Sequence, residues 1–356
     1  MPAAIARIES ELGKLARDCA ARIDRLNQPE AAAAFGVALN RMSSLRQDLV
    51  LAVNKLRFAG AQGPDALATV GAPLSVVSSG QILHAMDTNA RRLTQVIAGL
   101  HGALNYRPQP LYAEEMSRSD PRAGQLAASE RVFLALHRVV NPAQQDEGAV
   151  DRGCFADIPL PPSVFLAHAQ AALRVGMAQG RGAMRFIDIG CGGGIKVLLA
   201  AEVFAQAVGL EYDPGYVEAA RTALAHIGRP EQMVFQADAL AFDGFGDFDV
   251  IYFYRPMQDE LGMIGLERRI VEQVAPGTIL IAPYPLFETR AADLGCAHIA
   301  GAVYVAGISA PEAAALHDRA CATGISIASS GARTQPEPGY LAPLIEAARS
   351  FGFDLD

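Results

Sequence analysis

The sequence predicts an α/β protein, a mostly parallel sheet with helices on both faces, preceded by an all-α helical bundle. Three observations carry this. Apolar residues recur at helical spacing through the first hundred positions, and beyond residue 184 short apolar runs alternate with helical patterns. The 356 residues are 51% hydrophobic and 19% charged, enough apolar side chains for a core in each region. At the usual domain size, that length accommodates two domains.

In the first region Ile5, Ile8, Leu12, Leu15 and Cys19 keep one stripe of a helix facing a partner. Pro29 breaks that run. A second stripe follows at Met42, Leu45, Leu49, Val53 and Leu56. After a Gly/Pro-punctuated stretch from Gly60 to Pro73, a third runs through Ile82, Met86, Leu93, Ile97 and Leu104. Residues 1–106 are therefore expected to form a small bundle serving substrate selection or dimerisation. The same heptad steps suit a homodimer through these helices, although Arg22 at the next d position works against a coiled coil.

Residues 107–162 read as a linker or lid with one helix. Pro108, Pro110 and Pro121 punctuate its start, and a helix covers 124–140. An irregular stretch then ends in Pro159-Leu160-Pro161-Pro162, with Ser163 as N-cap of a helix to about residue 179. Glu114 and Glu115 face water, or offer a base if the stretch folds over a pocket.

From 163 to 356 the pattern is that of βαβ units. Strands are expected at 184–189, 207–211, 233–236, 248–254 and 278–283. Helices are expected up to Gln206, from Gly215, and over 262–274. The β-rich segment 297–308 is either one long strand or a tight hairpin around Gly301. Helices at 311–324 and Ala342–Ser350 follow.

Composition narrows the function classes. Net charge is −8. Residues 1–165 are balanced at 17 basic against 16 acidic, and residues 166–356 carry 13 against 22. Neither half supplies the basic stripe that a phosphate backbone requires, so nucleic acid is disfavoured. The five cysteines form no Cys-x-x-Cys pair, and the seven histidines show no ligand spacing, so neither a disulfide framework nor a metal site is expected. His298 reads as core or surface. With acids in its first turns and no long apolar stretch, the chain is expected to be cytoplasmic and free of membrane spans.

One segment carries chemistry: Arg185-Phe-Ile-Asp188-Ile-Gly190-Cys191-Gly192-Gly193-Gly194-Ile195-Lys196. An apolar strand runs into glycines that open a helix, where the backbone can approach a ligand closely. A phosphate-binding P-loop needs Gly-Lys followed by Ser or Thr, and Lys196 lies between Ile195 and Val197. A dinucleotide fingerprint needs a third glycine where Ile195 stands. An acid at the strand end would repel a pyrophosphate and suits a cationic amino acid end. Cys191, inside the loop, reads as a small filler.

The pattern Asp188-x-Gly190-x-Gly192-x-Gly194 resembles the first motif of class I S-adenosylmethionine (SAM)-dependent methyltransferases. Further landmarks follow in register. The resemblance implies that Glu211 accepts the ribose hydroxyls, with Tyr212 beside the adenine. It implies that Asp238 meets the adenine amino group and Ala239 supplies a backbone donor. Tyr254-Arg255-Pro256 stands at the family's motif IV, and Ala275-Pro276-Gly277-Thr278 resembles its turn into the fifth strand. The likeness covers residues 163 to about 308 and implies a seven-stranded sheet, SAM as cofactor and S-adenosylhomocysteine as product.

Motif IV here is not the Asn/Asp-Pro-Pro-Tyr of enzymes acting on DNA bases or glutamine, and no magnesium-type acid cluster is visible. The implied reaction is in-line methyl transfer to oxygen or nitrogen of a small molecule, resting on proximity. Tyr254, as a contact, and Arg255, as an anion clamp, are the catalytic candidates; Tyr252 alternates with Tyr254 and reads equally as core. Three other readings stay open: a protein side-chain acceptor docked by the helices, transfer of the aminocarboxypropyl or aminopropyl arm, and cofactor binding without catalysis.

Overall fold

The computed structural model describes residues 2–61, 76–114, 117, 119–230, 233–324, 338–353 and 355. Most of the Gly/Pro-rich stretch after Gly60 lies outside the described residues, as do Glu115 and the side chain of Ile82. The chain divides into two compact units, residues 1–108 with 322–356, and residues 109–321.

The first unit contains α1 (Pro2–Ala20), α2 (Pro29–Ala61) and α3 (Val76–Leu104), with a 3₁₀ turn at Ile23–Arg25. Pro29 is the first residue of α2, where a missing N–H costs nothing. The expected stripes meet: Leu12, Cys19, Met42, Leu49 and Leu93 are buried together. Leu341, Leu344, Ile345 and Ala348, at and within the helix Ala342–Ser350, complete the same core, followed by Phe351 and Phe353. The single domain expected over 163–356 therefore ends short. Residues 322–356 belong with the N-terminal helices, because this stripe finds its apolar partners there.

The second unit begins with α4 (Ala123–Val140), α5 (Glu147–Asp151) and α6 (Pro162–Ala178). There follow β1 (Arg185–Ile189), α7 (Ile195–Ala200), β2 (Gln206–Glu211), α8 (Pro214–His226) and β3 (Val234–Gln236). The rest is β4 (Val250–Phe253), α9 (Glu260–Gln273), β5 (Ile279–Ile281), α10 (Pro285–Arg290), β6 (Cys296–Ala300), β7 (Val303–Ala306) and α11 (Ala310–Ala322). The seven strands lie in the order β3-β2-β1-β4-β5-β7-β6, parallel except for β7. The segment 297–308 is thus a hairpin, turning at Gly301 with φ 51°.

The central strands β4 and β5 are apolar throughout because both faces are covered. Phe186, Val250, Tyr252 and Ile279 pack under residues of α6, α7, α8 and α11, while Ile187, Ile251, Phe253 and Leu280 pack under α9 and α10. The order of connection reverses between β1 and β4, and a ligand crevice forms at the carboxyl ends of strands at such a point. Two local details differ from the sequence reading. α7 stops at Ala200, not Gln206, and the turn after it lets Phe204 stack on Phe186 with centroids 5.1 Å apart. Ser163 is not an N-cap: α6 starts at Pro162, and the Ser163 hydroxyl donates to Glu130.

Candidate active site

The glycine loop leaves β1 at the switch point. Gly190, Gly192 and Gly194 all have positive φ, at 77°, 55° and 78°. Two of them are also required by close approach. A Cβ on Gly190 would lie 2.7 Å from the Pro256 side chain, and one on Gly192 would lie 2.1 Å from Asp157 Cγ. Cys191 is fully buried, and burial pushes its thiol well above the ordinary value.

Glu211 ends β2 with its carboxylate turned onto backbone. Oε2 accepts from the Gly192 amide at 2.8 Å, and Oε1 from Tyr212 and Asp213 at 2.8 and 2.9 Å. Burial raises its pKa against the pull of those amides. A carboxylate offers about four acceptor positions, so one remains open on Oε2. Asp213 next to it caps α8, accepting from Gly215 and Tyr216 amides at 2.7 and 3.2 Å. After β3, Asp238 accepts from the Leu240 amide at 2.9 Å and pairs with Arg152 at 2.8 Å.

These groups converge on one cavity. Gly190, Gly192, Glu211, Tyr212, Asp238 and Ala239 line it on the side of β1 to β3, and Tyr254 and Arg255 line it after β4. Arg255 is the one non-glycine among the described residues with positive φ, at 47°, and its guanidinium sits 5.6 Å over the Phe155 ring. A non-glycine residue held in that conformation stores backbone strain. Of the residues predicted for the site, Gly194 and Asp188 do not line the cavity. Asp188 is fully buried, and neither carboxylate oxygen has a hydrogen-bond partner; nor does the hydroxyl of Tyr252, its register neighbour on β4. Burial pushes the Asp188 carboxyl up to about 7, with Lys196 opposing that rise and Asp157 and Glu211 adding to it.

Two residues of the site had no role in the sequence reading. Lys196, in the first turn of α7, lines the cavity, with its Nζ 3.7 Å from Asp157 Oδ1. Burial opposes its charge, but Asp188 and Asp157 outweigh this and hold the ammonium above its usual pKa. Its position one turn beyond the glycines was the available signal. Asp157 gave none, because it sits in irregular chain. Its Oδ2 accepts from the Gly193 amide and Asn141 Nδ2, both at 3.0 Å, and lies 3.2 Å from His137 Nε2. Burial would raise its pKa, yet His137, Lys196 and the Gly193 amide together bring it down to about 2.

Asp157 belongs to a strap, residues 152–158, laid across the cavity. Cys154 bridges Met257, the Gln258 amide donates to Gly153 O at 2.8 Å, and the Asp157 amide donates to Tyr216 Oη at 3.1 Å. The space left beneath is about 160 Å³. Ligand pockets commonly measure about 300–1,000 Å³, so the strap leaves a narrow site.

Residues 187–258 match the family model of a methyltransferase domain. No curated protein matches the chain. Among solved structures, an RNA methyltransferase from Salinibacter ruber, in complex with S-adenosyl-L-homocysteine, is 26% identical over 35% of this chain and 76% of its own, with a TM-score of 0.29. An amino pentose methyltransferase from Micromonospora echinaspora is 24% identical over 40% of this chain, with a TM-score of 0.28. A sugar N-methyltransferase from Streptoalloteichus is 25% identical over 40% of this chain, with a TM-score of 0.27. The chain spans only 57% and 55% of the length of those two.

Proposed function

We propose that this protein, a class I SAM-dependent methyltransferase by the match over residues 187–258 and the seven-stranded sheet, moves the methyl group of SAM to oxygen or nitrogen of a small-molecule acceptor. The observation that supports this most is the convergence of the glycine loop, Glu211 and Asp238 on one cavity at the switch point of the sheet. The residues present fit the cofactor. Glu211 is fixed by three amides and keeps one acceptor position for a ribose hydroxyl. Tyr212, Asp238 and Ala239 line the part of the cavity toward β3, where an adenine would lie. The carboxylate of Asp157 and the ammonium of Lys196, both lining the cavity, offer a charge of each sign for an amino acid end.

When bound, SAM supplies an electrophilic sulfonium methyl. The protein's contribution is to orient and to exclude water. Gly190 and Gly192 admit the ligand close to backbone, and the strap covers the cavity. Tyr254 and Arg255, at the carboxyl end of β4, line the cofactor cavity and are placed to meet the reacting end of the acceptor. Holding two reactants in line is worth several kcal/mol by itself.

Calorimetric titration with SAM and S-adenosylhomocysteine tests this on the parent protein and Glu211→Ala. Loss of a charge-assisted hydrogen bond costs about 1.5–3 kcal/mol, so affinity should fall roughly 10- to 150-fold. Because Glu211 also holds three amides, the variant is first shown to be folded by circular dichroism. Absence of binding of either nucleotide to the folded parent overturns the proposal.

A further inference from the structure

A second cavity lies against the first. It measures about 460 Å³, and three residues, Asp157, Ile158 and Lys196, line both. Its other walls come from α4, from the proline-rich entry to α6, and from Ile195 at the start of α7. We infer that this second cavity seats the methyl acceptor, and that the acceptor is a neutral molecule with a largely apolar body and a hydroxyl or amine at one end. The inference rests on the methyltransferase reading above.

The walls decide the class of molecule. Phe133, Leu134, Ile158, Pro159, Leu160 and Ile195 present apolar surface, while the charges balance, Glu130 and Asp157 against Arg131 and Lys196. A site without net charge gives an ionic ligand no advantage over a neutral one, whereas apolar surface rewards an apolar body. Pro159, Pro161 and Pro162 make one wall from backbone whose φ is already restricted, so little ordering remains to be done on binding.

The polar groups gather at the shared wall. His137 lines the second cavity alone, with Nε2 3.2 Å from Asp157 Oδ2, and Asp157 in turn lies 3.7 Å from Lys196 Nζ. An acceptor with its apolar body among the α4 side chains therefore directs its polar end at the wall that faces the cofactor cavity. α4 buries none of its residues, although Phe133 and Leu134 face this space. Apolar side chains in such a position are covered when a ligand enters.

The test uses a neutral apolar fluorophore, N-phenyl-1-naphthylamine, titrated into the full chain with and without saturating S-adenosylhomocysteine. Leu134→Trp fills the cavity. Leu136→Trp puts the same side chain on the same helix at a residue that is 47% exposed and outside the lining. The expected result is saturable probe binding, unchanged by the nucleotide, weakened at least tenfold by Leu134→Trp and less than twofold by Leu136→Trp. The SAM affinity of both variants stays within twofold of the parent. Equal effects of the two substitutions, no saturable probe binding, or displacement of the probe by the nucleotide overturns the assignment. Probe binding that responds to Leu134→Trp in a protein that binds no SAM sinks the cofactor reading, and the acceptor assignment with it, while the apolar site itself stands.

Discussion

Asp188 shows how far a single side chain could be read in advance. Its place at the end of β1, two residues before the first glycine, was legible from local order. Its environment was not. Full burial beside the unpartnered Tyr252 hydroxyl follows from the pairing of β1 with β4, and the two strands are separated by some sixty residues of chain. The raised carboxyl makes a definite prediction. Between the ordinary value near 3.8 and about 7 the folded protein holds a proton that the unfolded chain has released. Stability contributed by the neutral form is complete below that window and is lost as pH rises through it. Asp188→Asn, which cannot ionise, should escape this loss. Its denaturation midpoint relative to the parent is expected to be higher at pH 8 than at pH 5, and an equal difference at both pH values would exclude a titrating Asp188.

At the scale of elements, period and turn signals located most helices and strands β1 to β5, because each buries a face of its own. They left 297–308 undecided. The hairpin at Gly301 exists because β7 pairs antiparallel with β5, a contact remote in sequence. They were silent on the strap, which has no periodicity and is held by Met257, Gln258, Tyr216 and the glycine loop. The strap lines a cavity of only about 160 Å³, so a nucleotide bound there is expected to press against residues 153–158 and order them. The strap's tie from Arg152 to Asp238 is partly exposed, so breaking it costs at most about 1 kcal/mol. Hydrogen exchange should show the amides of residues 153–158 protected further when S-adenosylhomocysteine is bound. Unchanged exchange there, with binding confirmed by calorimetry, would show the strap to be a fixed wall.

At the scale of the whole molecule, each of the two units has its own apolar core, and such units can unfold separately. The proposed nucleotide site lies entirely within residues 109–321. Scanning calorimetry of the full chain should therefore show two transitions, with only one responding to S-adenosylhomocysteine. At a ligand concentration of about 100 Kd the gain is about 2.7 kcal/mol, a rise of roughly 5–10 °C for a unit of this size. A single transition, or equal shifts of both, would show that the two units unfold together.

The sequence by itself determined the α/β class, the strand-to-glycine-to-helix turn, and the order Asp188, Glu211, Asp238, Arg255 along successive strand ends. These depend on local period and on residues that stay adjacent when the chain folds. Only the tertiary structure decided that Asp188 is sealed from the cavity, that Lys196 and Asp157 line it, and that residues 322–356 leave the sheet unit for the helical core. Each of these is a contact between segments distant in sequence. It is set by which apolar faces find one another and which buried charges find partners, and no local pattern of residues encodes that.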